Sequence, residues 1–240
     1  MKNSFAVLAQ KLMRTFKEVI KANALSIQKV VDFNKNSDKL LPLDFTSANT
    51  ELTDEILDKT DLFSAWVNQK LADNDARYGI GGYNEHRTIY SRSAHFNTGE
   101  EPRRLHLGVD VWGPAETSIY NFYDAKVHSF ANNNNFGDYG ATIILAYNME
   151  GFEFYALYGH LSLASLNGLE EGKVIGAGKK IAELGVKEEN GYWPPHLHFQ
   201  LVLDIKDLKG DYPGVCKFSE RDKYLANCPD PNLILKYSFY

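Results

Sequence analysis

From Tyr78 onward the chain is a series of short β-branched or aromatic runs separated by glycines, beginning with Gly79, Gly81 and Gly82. This spacing leaves room for strands of a few residues joined by tight turns, and none for long helices. Strands are expected near Thr88 to Tyr90, Leu105 to Asp110, Ser118 to Tyr120, Ala125 to Phe130, Ala141 to Tyr147, Phe152 to His160, Lys180 to Leu184 and His196 to Leu203. The tract ANNNNFGDYG at 131–140 reads as a hairpin tip, because asparagine favours turns and tolerates left-handed backbone. GLEEGKVIGAGKKIAELG at 168–185 suits tight turns between very short strands. It lacks the G-x-x-x-x-G-K-[ST] pattern of a phosphate loop.

The preceding residues read differently. Phe5, Leu8, Leu12, Phe16 and Ile20 recur at three- and four-residue steps, the period of a helix with one buried face. A second helix is expected from Thr53 to Ala72, carrying Ile56, Leu57, Leu62, Phe63, Trp66, Val67 and Leu71. The expected class is therefore α+β, with a helical region over residues 1–76 ahead of a mainly β domain over residues 77–240. One helix cannot bury that apolar stripe alone, so it is expected to dock on the first helix, on the β domain or on a second copy of the chain.

A formal net charge of -5 over 240 residues and the lack of any Lys/Arg-rich run argue against a nucleic-acid partner. No segment approaches the ~20 apolar residues that span a bilayer. The stretch Phe5 to Ala9 is broken by Gln10 and Lys11, too short for a secretory signal, so by sequence the chain reads as cytoplasmic. Cys216 and Cys228 are its two cysteines, which excludes a disulfide framework and favours free thiols over a single bridge.

Four of the seven histidines, with one aspartate, fall in three groups on expected strands: LHLGVD (105–110), YGHLS (158–162) and PHLHF (195–199). Side chains alternate along a strand, so His196 and His198 share a face, and so do His106 and Asp110. Imidazole and carboxylate are zinc donors, and a catalytic zinc takes about three of them beside an open position. Five candidates leave a surplus for acid, base or electrostatic work on water. His86, His95 and His128 have no such partners and read as structural or solvent-exposed. Tyr158, Tyr192 and Trp193 adjoin the motifs and are candidates for a substrate groove or for core filling.

HLGVD, GHLS and HLHF, in that order and with the glycine-punctuated segment between the last two, resemble the lysostaphin-type (LytM-like) zinc endopeptidases of the duplicated-hybrid-motif fold. The resemblance spans roughly residues 78 to 205. It implies an antiparallel β-sandwich with a peptide groove, one Zn2+ held by His106, Asp110 and His198, and His160 and His196 as the catalytic histidines. It also implies hydrolysis of peptide bonds with small residues near the cut, in peptidoglycan cross-bridges or stem peptides, and a periplasmic or extracellular location. Two other function classes fit the same residues: a non-catalytic metal- or peptide-binding module, and a zinc amidase acting on a non-wall substrate. Peptide cleavage lost on chelation and restored by zinc separates the first reading from the second.

Overall fold

The structure is a computed structural model that describes residues 15–238. Its strands are β1 (Leu40–Leu43), β2 (Tyr78–Gly81), β3 (Leu105–His106), β4 (Val109–Trp112), β5 (Ser118–Tyr120) and β6 (Ala125–Asn133), followed by β7 (Gly140–Met149), β8 (Phe152–Leu161), β9 (Val174–Ile175), β10 (Lys180–Glu183), β11 (His196–Val202) and β12 (Val215–Cys216). Eight of them form one sheet in the order β1-β2-β4-β11-β8-β7-β6-β9, while β10 pairs with β5 and β12 with β3. Every pairing is antiparallel except that of β1 with β2.

All seven residues of β11 are buried, because both faces of this strand are covered. Leu197, Phe199 and Leu201 enter a core shared with Val109, Val111, Ile143, Leu145 and Tyr158. The alternate residues His196, His198 and Gln200 face the other way. Register then sets their neighbours: His196 lies opposite Trp112, and His198 lies between Asp110 on β4 and Gly159 on β8.

Several expected elements differ in the structure. Thr88 to Tyr90 is no strand; Ile89–Arg92 is a 3-10 turn whose apolar residues Ile89 and Tyr90 are buried beside Phe96 and Trp193. Its strand-like composition reflects burial without pairing. Leu105 to Asp110 is interrupted at Leu107 and Gly108, so His106 and Asp110 sit on different strands with different partners. Leu40–Leu43, inside the region expected to be helical, is the strand that extends the main sheet.

Helix α1 (Phe16–Ala22) starts at Thr15, whose side chain and that of Glu18 form a reciprocal capping box. It buries Phe16 against Phe152 and Phe154, with ring centroids 5.6 and 5.0 Å apart. The earlier part of the expected first helix, Phe5 to Leu12, lies outside the described residues. The second expected helix is two: α2 (Asp54–Asp58) and α3 (Thr60–Asp73), separated by Lys59 in extended backbone. Helix α3 buries Phe63, Val67 and Leu71, and with Phe45 they form one cluster with Trp112 and Trp193. Burial of a side chain such as Phe63 contributes about 1.5–3 kcal/mol. After β12 come α4 (Arg221–Asn227) and α5 (Asn232–Leu235). Cys216 and Cys228 are both buried and free.

Candidate metal and catalytic site

His106, Asp110 and His198 meet in the interior with one donor atom each turned to the others. Nε2 of His106 is 2.9 Å from Nδ1 of His198. Oδ1 of Asp110 lies 3.2 Å from the first and 3.1 Å from the second. All three side chains are buried.

Outer hydrogen bonds decide which nitrogens carry protons. Nδ1 of His106 is 2.8 Å from the carbonyl of Gly82, which can only accept, so the proton sits on Nδ1 and Nε2 offers a lone pair. Nε2 of His198 is 2.9 Å from Oε1 of Gln200. The Gln200 amide nitrogen is committed to the carbonyl of Pro213 at 3.1 Å and to Sγ of Cys228. Oε1 is thereby an acceptor, His198 donates from Nε2, and its Nδ1 is unprotonated. Three lone-pair donors thus face one another without a proton between them, an arrangement that repels itself unless a cation lies at the centre. Their separations approach the ~3.3 Å edge of a tetrahedral shell with bonds of ~2.0 Å, so the donor set fits zinc.

Arg87 completes the outer shell. Its guanidinium donates from Nη1 to Oδ2 of Asp110, from Nε to Glu85, and from Nη2 to the carbonyl of Gly82, the group that also fixes His106. Burial on its own would raise the Asp110 carboxyl, but the Arg87 cation paired with it outweighs this and holds the group well below the usual carboxylate range. Burial and the Arg87 charge push His106 down to about 3, which keeps it neutral.

His160 and His196 stand beside this triad with ring centroids 4.1 Å apart. Nδ1 of His160 donates to the carbonyl of Asn190 at 2.7 Å, and Nδ1 of His196 to that of Pro194 at 2.8 Å. Each therefore keeps Nε2 as a free base. Burial lowers His160 well below the ordinary imidazole value, helped by the neighbouring His196, and burial lowers His196 to about 4. His160 reaches its place through a left-handed backbone, φ 62°, near the end of β8. Asn190, itself fully buried, ties down the loop that holds His160 by bonding the carbonyls of Gly185 and Trp193.

A cavity of about 110 Å³ is lined by Asp110, His160, His196 and His198, together with Trp112, Tyr139 and Trp193. Of the aromatic candidates, Trp193 is on its wall. Tyr158 instead points into the core, its hydroxyl 2.7 Å from that of Tyr147, and Tyr192 packs on Phe136 at the surface. Among the other histidines His95 lines the cavity, whereas His128 pairs with Ser129 and His86 packs by Phe218.

Arg87, Trp112 and Gln200 are absent from the sequence reading. Two of them carried a usable signal: Gln200 is two residues beyond His198 and Trp112 two beyond Asp110, so strand alternation puts each on the face of its ligand. Arg87 comes from a loop, and no spacing announces it.

A buried donor triad that could hold a metal ion thus stands beside two imidazoles able to accept protons, next to a cavity. Residues 104–209 match the model of Peptidase family M23, so this part of the chain is a domain of that family. Among solved structures, it is similar to the catalytic domain of the antimicrobial peptidase lysostaphin from Staphylococcus simulans, with 26% identity over 72% of this chain and 98% of that one and a TM-score of 0.42. It is also similar to a zinc containing peptidase from Vibrio cholerae, with 25% identity over 46% of this chain and 32% of that one and a TM-score of 0.35. The chain thus spans about a third of the length of the latter. No curated protein matches the chain.

Proposed function

We propose that the protein is a zinc-dependent endopeptidase in which His106, Asp110 and His198 hold one Zn2+ and His160 and His196 move protons. The observation that carries this reading is the convergence of three unprotonated donors beside two imidazoles whose Nε2 atoms are unprotonated. Zinc held there supplies Lewis acidity, which polarises the scissile carbonyl and makes water a stronger acid.

The chain's own residues do the rest. With Nδ1 of each committed to a backbone carbonyl, His160 and His196 accept and return a proton only at Nε2. One takes the proton of the attacking water at Nε2 and, so protonated, gives it to the departing amine; the other would donate to the developing oxyanion only after itself taking up a proton at Nε2. Asn190 and Pro194 orient these rings, and Trp193 with Tyr139 narrows the space around the reacting bond.

Glycine- or alanine-rich peptides, such as peptidoglycan cross-bridges or stem peptides, are the substrate class that the likeness of residues 104–209 to this peptidase family supports, and with it an exported enzyme. Among the described residues no helix is long and apolar enough to cross a membrane.

The test is cleavage of oligoglycine and stem peptides by purified protein of known metal content. Cleavage abolished by a chelator and restored by zinc supports the reading. Zinc bound at one per chain without hydrolysis of any peptide would instead identify a binding module.

A further inference from the structure

The indole of Trp112 lies flat on the imidazole of His196, with ring centroids 3.8 Å apart and planes 12° from parallel. The two are directly opposed across β4 and β11. The single polar anchor given to His196, Nδ1 to the Pro194 carbonyl, fixes one point of the ring and leaves it free to swing about that bond. A flat surface against the ring removes this freedom and sets where Nε2 points. His160 has no parallel ring against it; it meets His196 at 4.1 Å with planes 33° apart, and its contacts with Tyr139 and Trp193 are tilted or edge-on at 5.6 and 6.4 Å.

Trp112 itself is held by packing. It is fully buried, and its indole N–H has no hydrogen-bond partner. Phe45 and Phe63 press on it, with centroids at 5.0 and 5.8 Å. Phe63 also meets Trp193, on the cavity wall, at 6.4 Å. Phe45 follows β1 and Phe63 sits on α3, so both lie well outside the matched residues 104–209.

We propose that Trp112 is a positioning residue for His196, and that the N-terminal layer, through Phe45 and Phe63, holds Trp112 against that imidazole. Its catalytic consequence rests on the function proposed above. The N-terminal layer is then part of the working site and not an appendage to it.

The test uses the full-length, zinc-loaded chain with 13C-labelled histidine, the His196 signal being assigned from its loss in His196→Gln. An imidazole stacked on an indole has its ring protons shifted upfield. Trp112→Leu should move the His196 protons back toward the free-histidine position while zinc content stays at one per chain. The same variant should lose about 10- to 100-fold in kcat, as expected when a proton-transfer group is misplaced, with KM within about twofold of wild type. Trp112→Phe, which keeps a flat ring, should restore most of both. Phe63→Leu, a milder change that keeps the core filled, should shift the same resonance in the same direction by a smaller amount. A His196 signal unmoved in folded Trp112→Leu, or a loss confined to KM, overturns the proposal. If the wild-type protein cleaves no peptide, the proposed function falls, while the His196 resonance still decides whether Trp112 positions that ring.

Discussion

Arg87 and Asp110 form an ion pair inside the protein, with their side chains 0% and 2% exposed. Half of the carboxylate is thus spent on holding a cation of the protein's own, and the other half faces the two ligand histidines. Removing one partner of such a pair strands the other in a low-dielectric setting, which costs about 3–5 kcal/mol. Arg87→Met should therefore lower the urea midpoint of the metal-free protein strongly. It should also weaken zinc binding, since Asp110 and the Gly82 carbonyl lose the group that orients them. A midpoint unchanged from wild type would show that Arg87 is a bystander.

Metal content separates the ligands from the other histidines. His106→Ala, Asp110→Ala and His198→Ala should each reduce tight zinc binding from about one per chain to nearly none, because three protein donors are the minimum seen in such sites. Dialysis against a chelator should abolish peptidase activity in the wild type, and added zinc should restore it. Full occupancy in His198→Ala would remove it from the donor set.

The two remaining histidines should give the opposite pattern. His160→Ala and His196→Ala are expected to retain zinc and to lose ~100-fold or more in turnover, the usual cost of losing a general acid or base. Measured zinc stoichiometry and kcat on the same preparations check both halves. Wild-type turnover in both variants would leave the proton-transfer scheme without support.

Gly108 sits in the break between β3 and β4, and a Cβ there would fall 2.6 Å from Cε1 of His198 and 2.8 Å from the carbonyl oxygen of Phe199. The backbone oxygen cannot yield, so Gly108→Ala should displace the His198 ring. Zinc affinity, read by competition with a chromogenic chelator, is expected to fall about 10- to 100-fold, as for loss of an orienting group around a ligand. Affinity within a factor of about two of wild type would contradict the close packing.

Burial pushes the thiols of Cys216 and Cys228 up from 9.0 to about 12. At pH 8 only about one in ten thousand is ionised, and the thiolate is the reactive form. Native protein should resist iodoacetamide, and both thiols should react at once in denaturant. The sign for stability follows: these raised values favour the folded state below about pH 9, and that contribution disappears as pH rises toward 12. Rapid labelling of the native protein would argue against the buried packing of the C-terminal segment.

The strands that carry the site were legible because they alternate. His196, His198 and Gln200 stand two apart on β11, and the runs that became β5 to β8 already had strand composition and length. Less was legible where function depends on chain segments meeting. His106 and Asp110 do converge, but across a break at Gly108 rather than along one strand face, and only the close approach of His198 explains that break. Leu40 to Leu43 is four residues long with a proline inside, which gives no periodic signal; its pairing with Tyr78 to Gly81 is set by the layer around it. Arg87 lies between two unremarkable residues, and its role arises from where the Gly82 and Asp110 oxygens are.

Because His198 on β11 is paired with Asp110 on β4 and with Gly159 on β8, its main-chain amide is expected among the slowest of the molecule to exchange. Local opening, which in most proteins begins at ends and loops, has no route to this strand that does not first separate its neighbours. Deuterium should be admitted at His198 only when the strands on both sides of it separate.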